Sequence, residues 1–298
     1  MAPPPPPAGY PPPQDCPILV WMLSLNREYT KEEYTQCYEV VKACIPHVKF
    51  AYDYKNPDSF RQIITHMLPL LMMRHRRIPR LKWRDLSTPQ GKRWIEQIAD
   101  DMPPERFMAS KIGYHLFWEN SLCGMAMTQG HERKVVNIGL AMKQRSVEPK
   151  GVSVSTYKES LTHKLTDRES SMLSEDGLTD ETILRRLCII LALKQAYLAA
   201  IGQPIGFDYR RIDVDIPNNK LTGDDVLLEG WEFRLFGARL GVARGDQLVT
   251  EQYDCVCAFF RGSRDTTFIW DSQEKTLESW VQFINIDQMM KVLPKLMA

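Results

Sequence analysis

Lys194 has the surroundings in this chain that most suggest chemistry. Ile183, Leu187, Ile190, Leu191, Lys194, Leu198 and Ile201 recur at helical spacing, which places an amine on the apolar side of a helix. The aliphatic stem can pack there while the ammonium reaches a polar pocket. A lysine so placed usually has an anion to meet. The spacing fits equally a lysine that snorkels to solvent near the helix end. A second concentration of charge is Arg74-His75-Arg76-Arg77, at the end of a helix predicted over 58–77, where the helix dipole favours cations. The third feature is the C-x-C pair Cys255 and Cys257, which on a strand lie on one face. With no second cysteine pair or neighbouring histidine, zinc is not expected there. The seven cysteines read as reduced structural thiols, with Cys123, Cys188 and Cys257 as small buried hydrophobes.

These residues need elements to hold them. Residues 17–23 are predicted as a buried strand. Thr30-Lys-Glu-Glu is a capping-box start for a helix ending near Cys44. In the helix over 58–77, Phe60, Ile63, Ile64, Met67, Leu70 and Leu71 form the apolar face, and Pro69 is expected to kink or break it. Residues 116–127 and 135–142 read as two strands of one sheet, and 144–160 as a loop. Lys194's helix spans 179–201, capped by Thr179 or Asp180 and stopped by Gly202. Strands follow over 211–216, 231–240 and 252–260, then a helix over 286–293. Mixed strands and helices of this kind make an α+β chain.

The 298 residues carry a formal charge of +1, with 44% hydrophobic and 25% charged residues. Those values are ordinary for a globular protein with a sizeable core. They give no case for a nucleic-acid or membrane partner, and a cytoplasmic monomer is expected. Residues 1–15 form a proline-rich tail, expected to be a disordered polyproline II segment with no apolar signal region.

Around Lys194 the order of motifs resembles a known family. Leu191-Ala-Leu-Lys-Gln-Ala, Gly202, then Gly206-Phe-Asp and Arg211-Ile-Asp-Val-Asp are similar to the W-[AS]-x-K-E-A signature and following strand of the 4'-phosphopantetheinyl transferases. Upstream, Leu165-Thr-Asp-Arg-Glu resembles that family's acidic helix opening. Downstream, Gly230-Trp-Glu-Phe and Tyr253-Asp-Cys-Val-Cys-Ala resemble its late strands. Asp58-Ser-Phe-Arg, Leu70-Leu-Met-Met-Arg, Ile78-Pro-Arg-Leu-Lys-Trp and Gly91-Lys92 follow the order of its first half. The resemblance spans residues 17 to about 290. It implies two pseudo-symmetric half-domains, 16–143 and 144–298, with the active cleft between them. It also implies coenzyme A contacts from Arg61, Arg74, Arg76, Lys92 and Lys194, and a carrier protein as possible partner.

The family moves phosphopantetheine from coenzyme A to a serine of a carrier protein, with carboxylates holding magnesium against the phosphoryl charge. Here those positions differ. The strand aspartate aligns with Ala141, the acidic residue two positions on with Lys143, and the K-E-A glutamate with Gln195. The motif tryptophan is Leu191 and its second lysine Ala199. A histidine that contacts coenzyme A phosphates aligns with Trp118, beside Phe117. Glu119, Glu132 and Glu148 are the carboxylates that could replace the missing ligands. The expectation is therefore no metal ligands and a cleft repurposed for a metal-independent step on a small metabolite, of cyclisation or isomerisation type. His115, Trp118, Glu119, Lys194 and Gln195 are its candidate catalytic residues. The alternatives are a divergent but active transferase using coenzyme A and magnesium, or a non-catalytic module that binds coenzyme A or a carrier protein.

Overall fold

The computed structural model describes residues 17–98, 102–130, 133–203, 206–262, 265–271 and 277–297. The proline-rich tail lies outside them. The architecture mixes helices and sheets, in keeping with an α+β chain.

One sheet has six strands in the order β13-β1-β5-β4-β3-β2. They are β1 (Ile18–Ser24), β2 (Trp83–Ser87), β3 (Arg93–Gln97), β4 (Ile112–Glu119), β5 (Leu122–Gln129) and β13 (Val281–Asn285). A second has four, in the order β12-β10-β11-β6, from β6 (Ile138–Gln144), β10 (Trp231–Arg244), β11 (Gln247–Phe260) and β12 (Thr267–Asp271). A small third sheet joins β7 (Ile212–Asp215), β8 (Lys220–Gly223) and β9 (Val226–Leu227).

Alternation along the strands stacks the layers. On β1, Trp21 and Leu23 face the helices α1 (Lys31–Cys44) and α2 (Pro57–His75), while Ile18, Val20 and Met22 face the other sheet. They meet Leu140 and Met142 of β6 and Phe236, Ala238 and Leu240 of β10 in a core between the sheets. Cys255 and Cys257 also project into that core from one face of β11. The outer face of the four-stranded sheet, with Phe233, Leu235 and Val256, is covered by α6 (Asp180–Ile201). A side chain at Gly139 would put its Cβ 2.0 Å from the Ala196 carbonyl oxygen, so glycine lets α6 lie directly on β6.

The helix starts follow the sequence closely. Thr30 and Glu33 form the capping box of α1, and Thr179 caps α6 through the Thr182 amide. Gly202 ends α6 at φ +74°. Pro69 lies inside α2 without ending it. Three expectations are corrected, the third being the loop over 144–160. Residues 116–127 are not one strand, because the chain turns at Asn120 (φ +49°) and returns as β5. Nor do the strands predicted over 116–127 and 135–142 share a sheet, since β6 pairs with β11. The stretch 144–160 ends in the short helix α4 (Val154–Ser160). The remaining helices are α3 (Pro104–Ala109), α5 (Asp167–Met172) and α7 (Ile286–Val292).

Candidate functional site

A cavity of about 960 Å³ opens between the end of β4, α6 and two turns at 163–164 and 206–209. Strand β4 contributes His115, Phe117, Trp118 and Glu119, and α6 contributes Gln195, Leu198 and Ala199. The pleat explains three of the first four, while Trp118 packs partly on the core that holds Leu116 and also borders the cleft. Ile112, Tyr114 and Leu116 point into the core under α2, so His115, Phe117 and Glu119 turn toward β6 and the cleft. Four aromatic side chains, Phe117, Trp118, Phe207 and Tyr209, make much of the wall.

His115 Nδ1 accepts the Leu140 backbone N–H at 3.1 Å. Its remaining proton is then on Nε2, so the ring offers a donor. Burial, with Arg93 nearby, pushes the imidazole down to about 4, and at neutral pH the ring carries no charge. Glu119 receives the Lys143 ammonium on both oxygens, at 3.1 and 3.2 Å. Asp208 accepts the Arg210 backbone N–H at 2.9 Å and caps the turn there.

Four of the five residues singled out as catalytic candidates, His115, Trp118, Glu119 and Gln195, thus line one cavity. Lys194 has a different setting from the one its spacing suggested. It neither reaches into the cleft nor snorkels to solvent: its side chain is 0% exposed, as is that of its partner Glu169. The ammonium donates to Glu169 Oε2 at 2.6 Å, the Lys164 carbonyl at 2.9 Å and the Tyr209 carbonyl at 3.1 Å. Those three bonds use all three of its protons. Glu169 in turn accepts the Thr166 and Val214 backbone N–H groups at 2.9 and 2.8 Å. Burial lowers the Lys194 pKa and raises that of Glu169, while their mutual attraction opposes both shifts.

The basic residues expected to hold coenzyme A are dispersed. Arg61 binds the Asn120 carbonyl at 2.5 Å and Asp58 at 2.6 Å, beside a separate cavity. Arg74 is exposed at the end of α2. Arg76 donates to Gln129 of β5. Lys92 lies nearest the cleft, since its stem packs at Gly202 and its ammonium donates to Asn137. Burial lowers its pKa.

Magnesium needs converging oxygen ligands with negative charge. At the positions the resemblance assigns to the metal, Ala141 is buried in the core under α6 and offers no donor. Lys143 supplies a cation that already occupies Glu119. Glu148 lines another cavity, near Arg145 and Lys150, and Glu132 lies outside the described residues. Among the described residues no three His, Cys, Asp or Glu side chains are grouped to hold a metal ion. The donor set does not fit magnesium.

The turn residues Phe207, Asp208 and Tyr209 went unassigned by sequence reasoning, although Gly206-Phe-Asp was part of the motif order. His163 and Lys164, on the other turn, gave no such signal.

The comparison with known proteins bears on this arrangement. A 4'-phosphopantetheinyl transferase, pptA from Paxillus involutus, is 29% identical to this chain over 188 residues, covering 61% of the chain and 68% of that protein. The likeness is to the phosphopantetheinyl transferases. No family profile matches the chain. The resemblance read from the motifs and this similarity therefore agree on a phosphopantetheinyl transferase-like protein. None of the helices in the described residues is long and apolar enough to cross a membrane.

Proposed function

We propose that this phosphopantetheinyl transferase-like protein uses its cleft without magnesium, on a small molecule and in a proton-moving step of the isomerisation or cyclisation kind. One observation carries the reading: the Lys143 ammonium sits on both oxygens of Glu119, where a transferase would need its anions free for a dication. The aromatic wall suits a flat, largely apolar substrate body. Glu119 is the group that takes and returns a proton. His115 Nε2–H and the Gln195 amide donate to the oxygen on which charge develops. The lining comes from β4 and from α6 with its neighbouring turns, which supports two half-domains meeting over the cleft.

The test is incubation with coenzyme A, an apo carrier protein and magnesium, read by intact mass. The expected outcome is no gain of the phosphopantetheine mass at high protein concentration. Substituting Ala141→Asp, Lys143→Glu and Gln195→Glu together should confer magnesium binding that the native chain lacks, measured by calorimetry.

The alternative is a divergent, working transferase that passes phosphopantetheine from coenzyme A to a carrier serine. The similarity across 68% of pptA favours it. Magnesium-dependent loading of the carrier, abolished by a chelator and restored by added magnesium, would establish that reading and sink the first. Coenzyme A binding by calorimetry with no turnover on any substrate would leave a binding module.

A further inference from the structure

Two turns form the wall of the cleft opposite β4, and their positions are set from beneath by a single ammonium. Lys194 belongs to α6, and the residue after it, Gln195, lines the cleft, whereas Lys194 points away into the core. Its three bonds run to three separate pieces of chain: Glu169 in α5, the Lys164 carbonyl in the 163–164 turn, and the Tyr209 carbonyl in the 206–209 turn. Lys164 and Tyr209 both line the cleft. Glu169 extends the knot by accepting the Val214 N–H of β7 and the Thr166 N–H at its own helix start.

We infer that Lys194 and Glu169 are positioning residues of the cleft: the buried pair fixes both turns against α6 and so sets the gap between them and Gln195. A buried ion pair is a poor device for stability alone, because an apolar pair of similar volume does as well or better. What it supplies is direction. An ammonium with three protons needs three acceptors at tetrahedral angles, and the two carbonyls it selects carry the wall. An apolar replacement would fill the same space while leaving those carbonyls without a donor.

The inference rests on the reading of this cleft as the binding site, and its test separates the two. Lys194→Met alone leaves Glu169 charged and unpaired and is expected to fold poorly. The informative variant is therefore Lys194→Met with Glu169→Gln, which removes both charges and keeps an acceptor for the Val214 amide. Hydrogen exchange read by mass spectrometry should show at least tenfold faster exchange in peptides covering 161–166 and 206–211. Peptides of β4 should be unchanged, and so should the melting temperature to within a few degrees. Uniform acceleration across all peptides, or none in the two turns, overturns the inference. The second arm titrates coenzyme A by calorimetry in the presence of a chelator. If the native chain binds, the double variant should lose at least tenfold in affinity, and undiminished affinity overturns the positioning role. If the native chain does not bind coenzyme A, that ligand is struck from the reading of the cleft and the exchange arm still decides the clamp.

Discussion

Helices α2 and α6 are the two longest helices among the described residues, each packed on a sheet and each burying one basic side chain, yet they treat it in opposite ways. On α2, His66 is 4% exposed, its Nδ1–H bonds the Gln62 carbonyl one turn back at 2.7 Å, and its Nε2 has no hydrogen-bond partner among the described residues. Burial, with Arg93 adding to it, lowers the ring to about 4, so it sits neutral against Phe50. On α6, Lys194 faces a carboxylate and two carbonyls brought in from distant segments. A buried group whose one hydrogen bond stays within its own helix is packing. A buried group satisfied by three other segments organises them, and the cleft is found over α6.

The largest effect separates the two helices directly. Lys194→Met should destabilise the fold by about 3–5 kcal/mol, because Glu169 is left buried and uncompensated. His66→Phe should change stability by less than about 1 kcal/mol at pH 7, since an aromatic ring of similar size is kept. Denaturant titration of both variants measures this, and equal losses would erase the distinction.

Acid sharpens it next. His66 and His115 are both held below the ordinary histidine value of 6.5 at about 4. The unfolded chain therefore binds more protons between those values, and stability is complete above pH 6.5 and lost as pH falls toward 4. The loss is roughly 3 kcal/mol for each ring when fully expressed. His66→Phe should remove about half of the drop in stability between pH 7 and pH 4.5. A drop unchanged in that variant would mean that α2 does not bury a neutral imidazole.

The helix ends differ too. After α2, Arg77 adopts φ +59°, whereas α6 stops at Gly202 with φ +74°. Arg77→Gly should gain up to about 1 kcal/mol and Gly202→Ala should lose about 1 kcal/mol. An added Cβ at 202 would lie 2.8 Å from Lys92 Cε, a flexible contact that can move aside. Melting temperatures shifting in the same direction would refute the contrast. The smallest effect belongs to Lys143→Met. Its pair with Glu119 is one-quarter exposed on each side, so the cost is under about 1 kcal/mol, and the change should appear in ligand binding rather than in stability.

Local signals were legible in the sequence. Thr30, Thr179 and Gly202 mark helix ends by chemistry that acts within one turn, and the structure keeps all three. The apolar spacing of 183–201 identified α6 and the odd lysine within it. Long-range pairing was not legible. Glu-Asn-Ser at 119–121 lacks the glycine that usually marks a tight hairpin, so no local residue signals the β4–β5 turn. Assigning β6 to a sheet requires knowing that β11, more than a hundred residues later, lies beside it. The partner of Lys194 is 25 residues upstream, beyond any periodicity. Residues His115, Trp118, Glu119 and Gln195 came from the motif resemblance, because their common cavity is assembled from a strand and a helix of different sheets.

Strand β1 hydrogen-bonds to β5 on one side and, in parallel, to β13 on the other. Of the strands described, β1 is the first to leave the ribosome and β13 the last. The six-stranded sheet therefore waits for nearly the whole chain before one flank of its earliest strand is covered. That flank is an open template during synthesis, and shortening the chain ahead of residue 281 would leave it so permanently.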